Sequence, residues 1–199
     1  MKHTTATRLL QLFALASLIA APLASAADAG AQKPGFNKKL SLQGITFHVT
    51  CANKGSINHV QIQPKGLTAD NAPIKTEVDG SVTGAEVADL NADGSPEIYI
   101  FTQSAGSGSY GNVIAYAANQ NKSLSRITLP ELSEHKKAAK GYQGHDEFAI
   151  VENRLARRFK LYEAKDTNSK PTGKIRQISY RLHAGEAGWI LRPEPFTDI

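Results

Sequence analysis

Residues 40–49 read Leu-Ser-Leu-Gln-Gly-Ile-Thr-Phe-His-Val, and their period is two: Ile45, Phe47 and Val49 fall on one face of an extended chain, Thr46 and His48 on the other. That is the pattern of a half-buried strand, and His-Val-Gln-Ile-Gln around Val60 repeats it. Moving outward, further strands are expected at residues 82–88, 97–102, 113–117, 148–151, 155–162, 175–182 and 189–191, separated mostly by clusters of Gly, Asn, Asp or Pro. Many short strands with turn signals between them predict a mainly β protein, a sandwich or barrel. One helix is expected to open at Thr128-Leu-Pro-Glu131, where Thr128 with a Glu three residues on resembles a capping box and Pro130 suits a first turn; it should end before Gly141.

The first 26 residues have the make-up of a secretory signal peptide. Lys2 and Arg8 give a positive start, Leu9 to Ala21 an apolar run, and Ala24-Ser25-Ala26 a small-residue cleavage site. The run is too short to argue for a retained membrane anchor. The expectation is therefore an exported protein, most simply periplasmic, with residues 27–199 as a single domain. Without Lys2 and Arg8, the 23 basic side chains become 21 against 18 acidic ones, a mild excess. With no basic stripe or aromatic platform, nothing points to nucleic acid. The cluster Arg154-Leu-Ala-Arg157-Arg158-Phe-Lys160 reads as the solvated face of a strand, with an anion-binding patch as the alternative. The single cysteine, Cys51, has no partner within the chain and reads as a small buried residue rather than a reactive thiol.

Between the strand-like stretches EIYIF and VIAYA lies Ser104-Ala-Gly106-Ser107-Gly108-Ser109-Tyr110-Gly111-Asn112. Its Gly106-x-Gly108-x-x-Gly111 spacing matches a dinucleotide fingerprint, but such a loop must open a helix, and the residues after Asn112 are β-branched and aromatic. Nucleophilic catalysis by Ser104, Ser107 or Ser109 lacks the Gly-x-Ser-x-Gly frame and any strand-to-helix elbow. It would require one of the scattered histidines, such as His145, to reach a loop serine. Two readings remain, a display loop or a plain hairpin connection. In the first, Ser107 and Tyr110 offer hydroxyl donors, Tyr110 is a stiff anchor, and Gly106 and Gly108 permit close approach and positive φ.

A second motif, Asp89-Leu-Asn91-Ala-Asp93-Gly94-Ser-Pro-Glu97, matches the first positions of a calcium loop, with oxygen-bearing side chains at places one, three, five and nine around a glycine at six. Ile100 stands where the closing carboxylate would be. The competing reading is a connection in which Asp and Asn bond their own backbone and Gly94 supplies a positive φ. No cofactor is required by the sequence; calcium is the one candidate.

Five blocks in order, Leu42–Val49, Ala88–Glu97, Ser104–Gly111, Glu152–Phe159 and Gly185–Trp189, resemble the periplasmic inhibitors of invertebrate-type (I-type) lysozyme. The resemblance implies an antiparallel β-sandwich, no enzymatic activity, and a lysozyme as partner, with dimers reported for the family. It also implies that a Ser-Gly-x-Tyr motif on a protruding loop enters the lysozyme's active-site cleft, a motif met here by Ser107-Gly108-Ser109-Tyr110, with Ser104 and Gly106 in the same loop. The residues themselves leave a second function open: an exported, calcium-stabilised module for cell-wall glycans, organised by Asp89, Asn91, Asp93 and Glu97.

Overall fold

A computed structural model describes residues 35–186 and 188–199. The signal-peptide reading over residues 1–26 lies outside them. Among the described residues no helix is long and apolar enough to cross a membrane.

The described residues form thirteen strands: β1 (Phe36–Leu42), β2 (Ile45–Cys51), β3 (Ile57–Lys65), β4 (Ile74–Asp79), β5 (Ser81–Ala88), β6 (Glu97–Gln103), β7 (Gly111–Asn119), β8 (Ser123–Thr128), β9 (Glu147–Val151), β10 (Arg154–Lys160), β11 (Ile175–Ala184), β12 (Trp189–Pro193) and β13 (Thr197–Asp198). β1 to β4 make one antiparallel sheet in sequence order. The other nine make a second sheet, ordered β5-β6-β7-β8-β12-β11-β10-β9, with β13 on β11. Its pairings are antiparallel except a two-residue parallel contact between β8 and β12. This sheet curls until its two ends nearly meet, and the Ile150 N–H of β9 donates to the Glu86 carboxylate of β5 at 3.1 Å.

The alternation read from residues 45–49 is met: Ile45, Phe47 and Val49 are buried, while Thr46 and His48 are half-buried. The stretch from Leu40 is not one strand, however. Gln43 and Gly44, both at positive φ (49° and 82°), turn β1 back on β2 with Leu42 opposite Ile45. A two-residue Gln-Gly turn lacks the usual Asn-Gly signal, so the alternation reads straight through it.

Two cores result. Ile45, Phe47, Val49, Val60 and Ile62 of the first sheet pack against Ile98, Ile100, Ile114 and Tyr116 of the second. Within the curl of the second sheet lie Tyr99, Phe101, Val113, Leu155, Phe159, Ile178, Tyr180 and Leu191. β6 belongs to both: Ile98 and Ile100 face the first core, Tyr99 and Phe101 the second, so Glu97 to Thr102 are all buried. A strand covered on both faces is continuously apolar, as Ile98-Tyr-Ile-Phe101 is. Cys51 is free and buried in the first core.

Three expectations need correction. The helical segment starts later than Thr128, which ends β8 and pairs with Ile190. It consists of a 3-10 turn, Leu132–Glu134, and one α-helical turn, Lys136–Ala139, and no side chain caps either start. β4 and β8 were not expected, because Ile-Lys-Thr-Glu-Val-Asp and Ser-Leu-Ser-Arg-Ile-Thr carry too few apolar residues to show a period. The basic run on β10 is not wholly a solvated face: Arg158 and Lys160 are exposed, but Arg157 shares the inward face with Leu155 and Phe159 and is buried.

Candidate functional site

Residues 104–110 join β6 to β7, whose register closes with Gln103 opposite Gly111. The loop is tied at its base by a reciprocal pair: the Ser104 N–H donates to the Tyr110 carbonyl at 2.9 Å, and the Tyr110 N–H to the Ser104 hydroxyl at 2.9 Å. Inside it the Ser109 N–H donates to the Gly106 carbonyl at 2.9 Å, a four-residue turn. The one left-handed φ in the loop is at Ser109 (43°), the last residue of the turn, and not at Gly106 or Gly108. Gly108 is required for another reason: a Cβ there would stand 2.4 Å from the Tyr110 ring. Gly106 faces open space.

The exposed surface of the loop is small and specific. Tyr110 is 51% exposed, one of five large hydrophobic residues standing out of the described surface. Ser107 is exposed, Ser104 and Ser109 are half-buried, and Gly108 is buried. The Ser107 hydroxyl accepts a hydrogen bond from the Asn168 side-chain amide at 3.0 Å. Its own proton stays free for an incoming acceptor. Beside the loop opens a cleft of about 900 Å³, with Ser104, Tyr110, Asn112, Leu129, Tyr142 and Arg157 on its wall.

Beneath the loop is a buried polar network. Asp146, with no exposed side-chain surface, accepts from Arg157 Nε at 2.6 Å through one oxygen. Through the other it accepts from the Gly111 N–H at 2.8 Å and the Tyr142 hydroxyl at 2.6 Å. Arg157 Nη2 donates to the Tyr142 oxygen at 2.9 Å, and the guanidinium lies over the rings of Tyr142, Phe148 and Phe159. Burial works against the Arg157 charge, yet the Asp146 carboxylate and the Tyr142 hydroxyl raise its pKa, so the guanidinium keeps its charge. Burial also raises the Tyr142 pKa, with the Asp146 charge adding to it, so this hydroxyl keeps its proton.

Tyr142 carries the network to the loop by meeting the Tyr110 ring edge to face, centroids 5.8 Å apart. The His145 N–H supports the other side, reaching the Gly108 carbonyl at 2.9 Å and the Ser109 carbonyl at 3.2 Å. Gly144, at φ 98°, allows that approach, since a Cβ there would sit 2.0 Å from the Gly108 oxygen. The His145 ring does not serve a loop serine: its Nε2 lies 3.2 Å from the Asn168 carbonyl.

Sequence reasoning missed Tyr142, Asp146 and Asn168 altogether, and named Arg157 only within a basic run. One signal was available, because period two places Arg157 between the inward Leu155 and Phe159, and a buried arginine demands an acid.

At the other end of β6, the stretch 89–97 folds as the local turn its Asp and Asn residues favour. Asp89 accepts the N–H groups of Asp93 (3.0 Å) and Gly94 (3.0 Å), and Asp93 accepts that of Ser95 (2.8 Å). Gly94 has the positive φ expected of it, 80°. Glu97 turns inward and is fully buried, which pushes its pKa up to about 8, with Asp89 and Asp93 adding to the rise and the Leu90 N–H opposing it.

The fold presents at the 104–110 end hydroxyls and one exposed aromatic on a pinned hairpin tip. Residues 52–140 match the family model of PliI, the periplasmic lysozyme inhibitor of I-type lysozyme. The match spans both the acidic turn and the loop, and the family it names is the inhibitor family that the sequence resembles. No curated protein matches the chain.

Proposed function

We propose that this protein is a periplasmic inhibitor of I-type lysozyme that places Ser107 to Tyr110 in the enzyme's cleft. A glycosidase cleft holds two carboxylates, one protonated and one ionised, and both accept hydrogen bonds from hydroxyls. Ser107 and Tyr110 supply such donors from one compact tip. The observation that carries the reading is the support beneath that tip. A loop fixed by Asp146, Tyr142 and His145 before contact loses little conformational freedom on binding, so more of the contact energy appears as affinity. The protein does no chemistry in this reading; it occludes the site of another enzyme.

The test is a lysis-protection assay with I-type, chicken-type and goose-type lysozymes in parallel. Protection against the first alone is expected. Equal protection against all three, or none, overturns the reading. Because the excess of positive charge is mild, long-range attraction to a basic enzyme is absent, and the association rate should depend little on salt.

A further inference from the structure

Asp89, Asp93 and Glu97 bring carboxylate oxygens to within 4.8 Å of one another. Among the described residues none of the three takes part in an ion pair. The informative member is Glu97. Its side chain is fully buried, its Oε2 accepts from the Leu90 N–H at 2.7 Å and from the Tyr99 hydroxyl at 3.5 Å, and its Oε1 has no partner among the described residues. A buried carboxylate oxygen without a donor is costly, and native folds rarely leave one so. The local turn does not explain it, because every other hydrogen bond of the turn is made without Glu97 Oε1.

We propose that Asp89, Asn91, Asp93 and Glu97 bind one Ca²⁺ ion, which completes the coordination of Glu97 Oε1. All the donors are oxygens, with no histidine or cysteine in the cluster, which disfavours zinc and other softer metals. Ca²⁺ accepts six to eight oxygens in irregular arrangements, so four side chains with backbone carbonyls and water suffice; Mg²⁺ demands a tighter octahedron. Glu97 at the ninth place takes over from the missing twelfth-place carboxylate, where Ile100 is committed to the core. The ion would tie the β5–β6 connection to the buried start of β6. This proposal is independent of the inhibitor reading.

Full-length mature protein, stripped with chelator and dialysed, is titrated with calcium chloride in a calorimeter. One-to-one binding is expected, with a rise in Tm of about 5 °C or more at hundredfold excess over Kd. Asp93→Asn, at an exposed position, and Glu97→Gln should each weaken Ca²⁺ binding about tenfold or more. If Glu97→Gln fails to fold, Asp93→Asn alone decides. An unchanged Tm at about 10 mM Ca²⁺, above the weakest natural sites, overturns the proposal, as does an unaltered response in Asp93→Asn. An equal rise with magnesium chloride overturns the choice of ion. Lysozyme inhibition, measured on the same samples, reports separately on the loop.

Discussion

The two ends of β6 solve opposite problems. At its start, the turn 89–97 satisfies itself with bonds spanning two to five residues, and its acids converge inward on a buried carboxylate. At its end, about 20 Å along seven strand residues, the loop 104–110 points polar groups outward and borrows its rigidity from residues 35 and 61 positions away. One end is mostly local in sequence, with Gln43 and Asn121 each adding one bond to it; the other is assembled from afar and presented to solvent. The proposed ion site and the proposed recognition loop thereby lie at separate ends of one doubly buried strand.

If that division holds, the two ends should respond independently. Tyr110→Ala combined with Ser107→Ala should weaken lysozyme inhibition by about a hundredfold or more, as expected when central anchors are removed. The change should lie mainly in the dissociation rate, measured by surface plasmon resonance, with Tm almost unchanged. Full inhibition by this double variant would break the comparison at the loop end.

Asp146→Ala should cross the boundary. Removing it leaves the Arg157 guanidinium buried and unpaired, a loss of about 3–5 kcal/mol, seen as a fall in Tm of about 10 °C. Inhibition should fall with it, because the Gly111 N–H and Tyr142 hydroxyl lose their acceptor. Gly144→Ala sharpens the same point at smaller cost: about 1–3 kcal/mol of strain, and about a tenfold loss of inhibition from a displaced Gly108 carbonyl. Asn168→Ala should be the mildest, a few-fold change in affinity without a measurable change in Tm, since it removes one exposed hydrogen bond to Ser107.

The same contrast explains how much could be read from the chain alone. The alternation at Ile45, Phe47 and Val49 and the unbroken apolar run of β6 reveal strands because burial writes its period directly into sequence. The acidic turn was legible for a related reason: its acids and most of its hydrogen bonds fall within nine consecutive residues. The loop's sequence showed its hydroxyls and its aromatic, and the family resemblance pointed to Ser107 and Tyr110. The support was hidden, since Tyr142 and Asp146, Arg157, and Asn168 come from three different places along the chain and meet only through the fold of the second sheet. Thr128 misled because a capping pattern is a local signal, and the pairing of β8 with β12 overrode it.

The distance in sequence between the loop and its support also orders events in folding. The β6–β7 hairpin involves neighbours and can close within microseconds, whereas the contacts from Asp146, His145 and Asn168 must wait until the later strands have docked. A nascent chain can therefore hold the loop's residues, and even its hairpin, long before it holds the loop's shape. On the inhibitor reading, competence to bind arrives with the last third of the polypeptide.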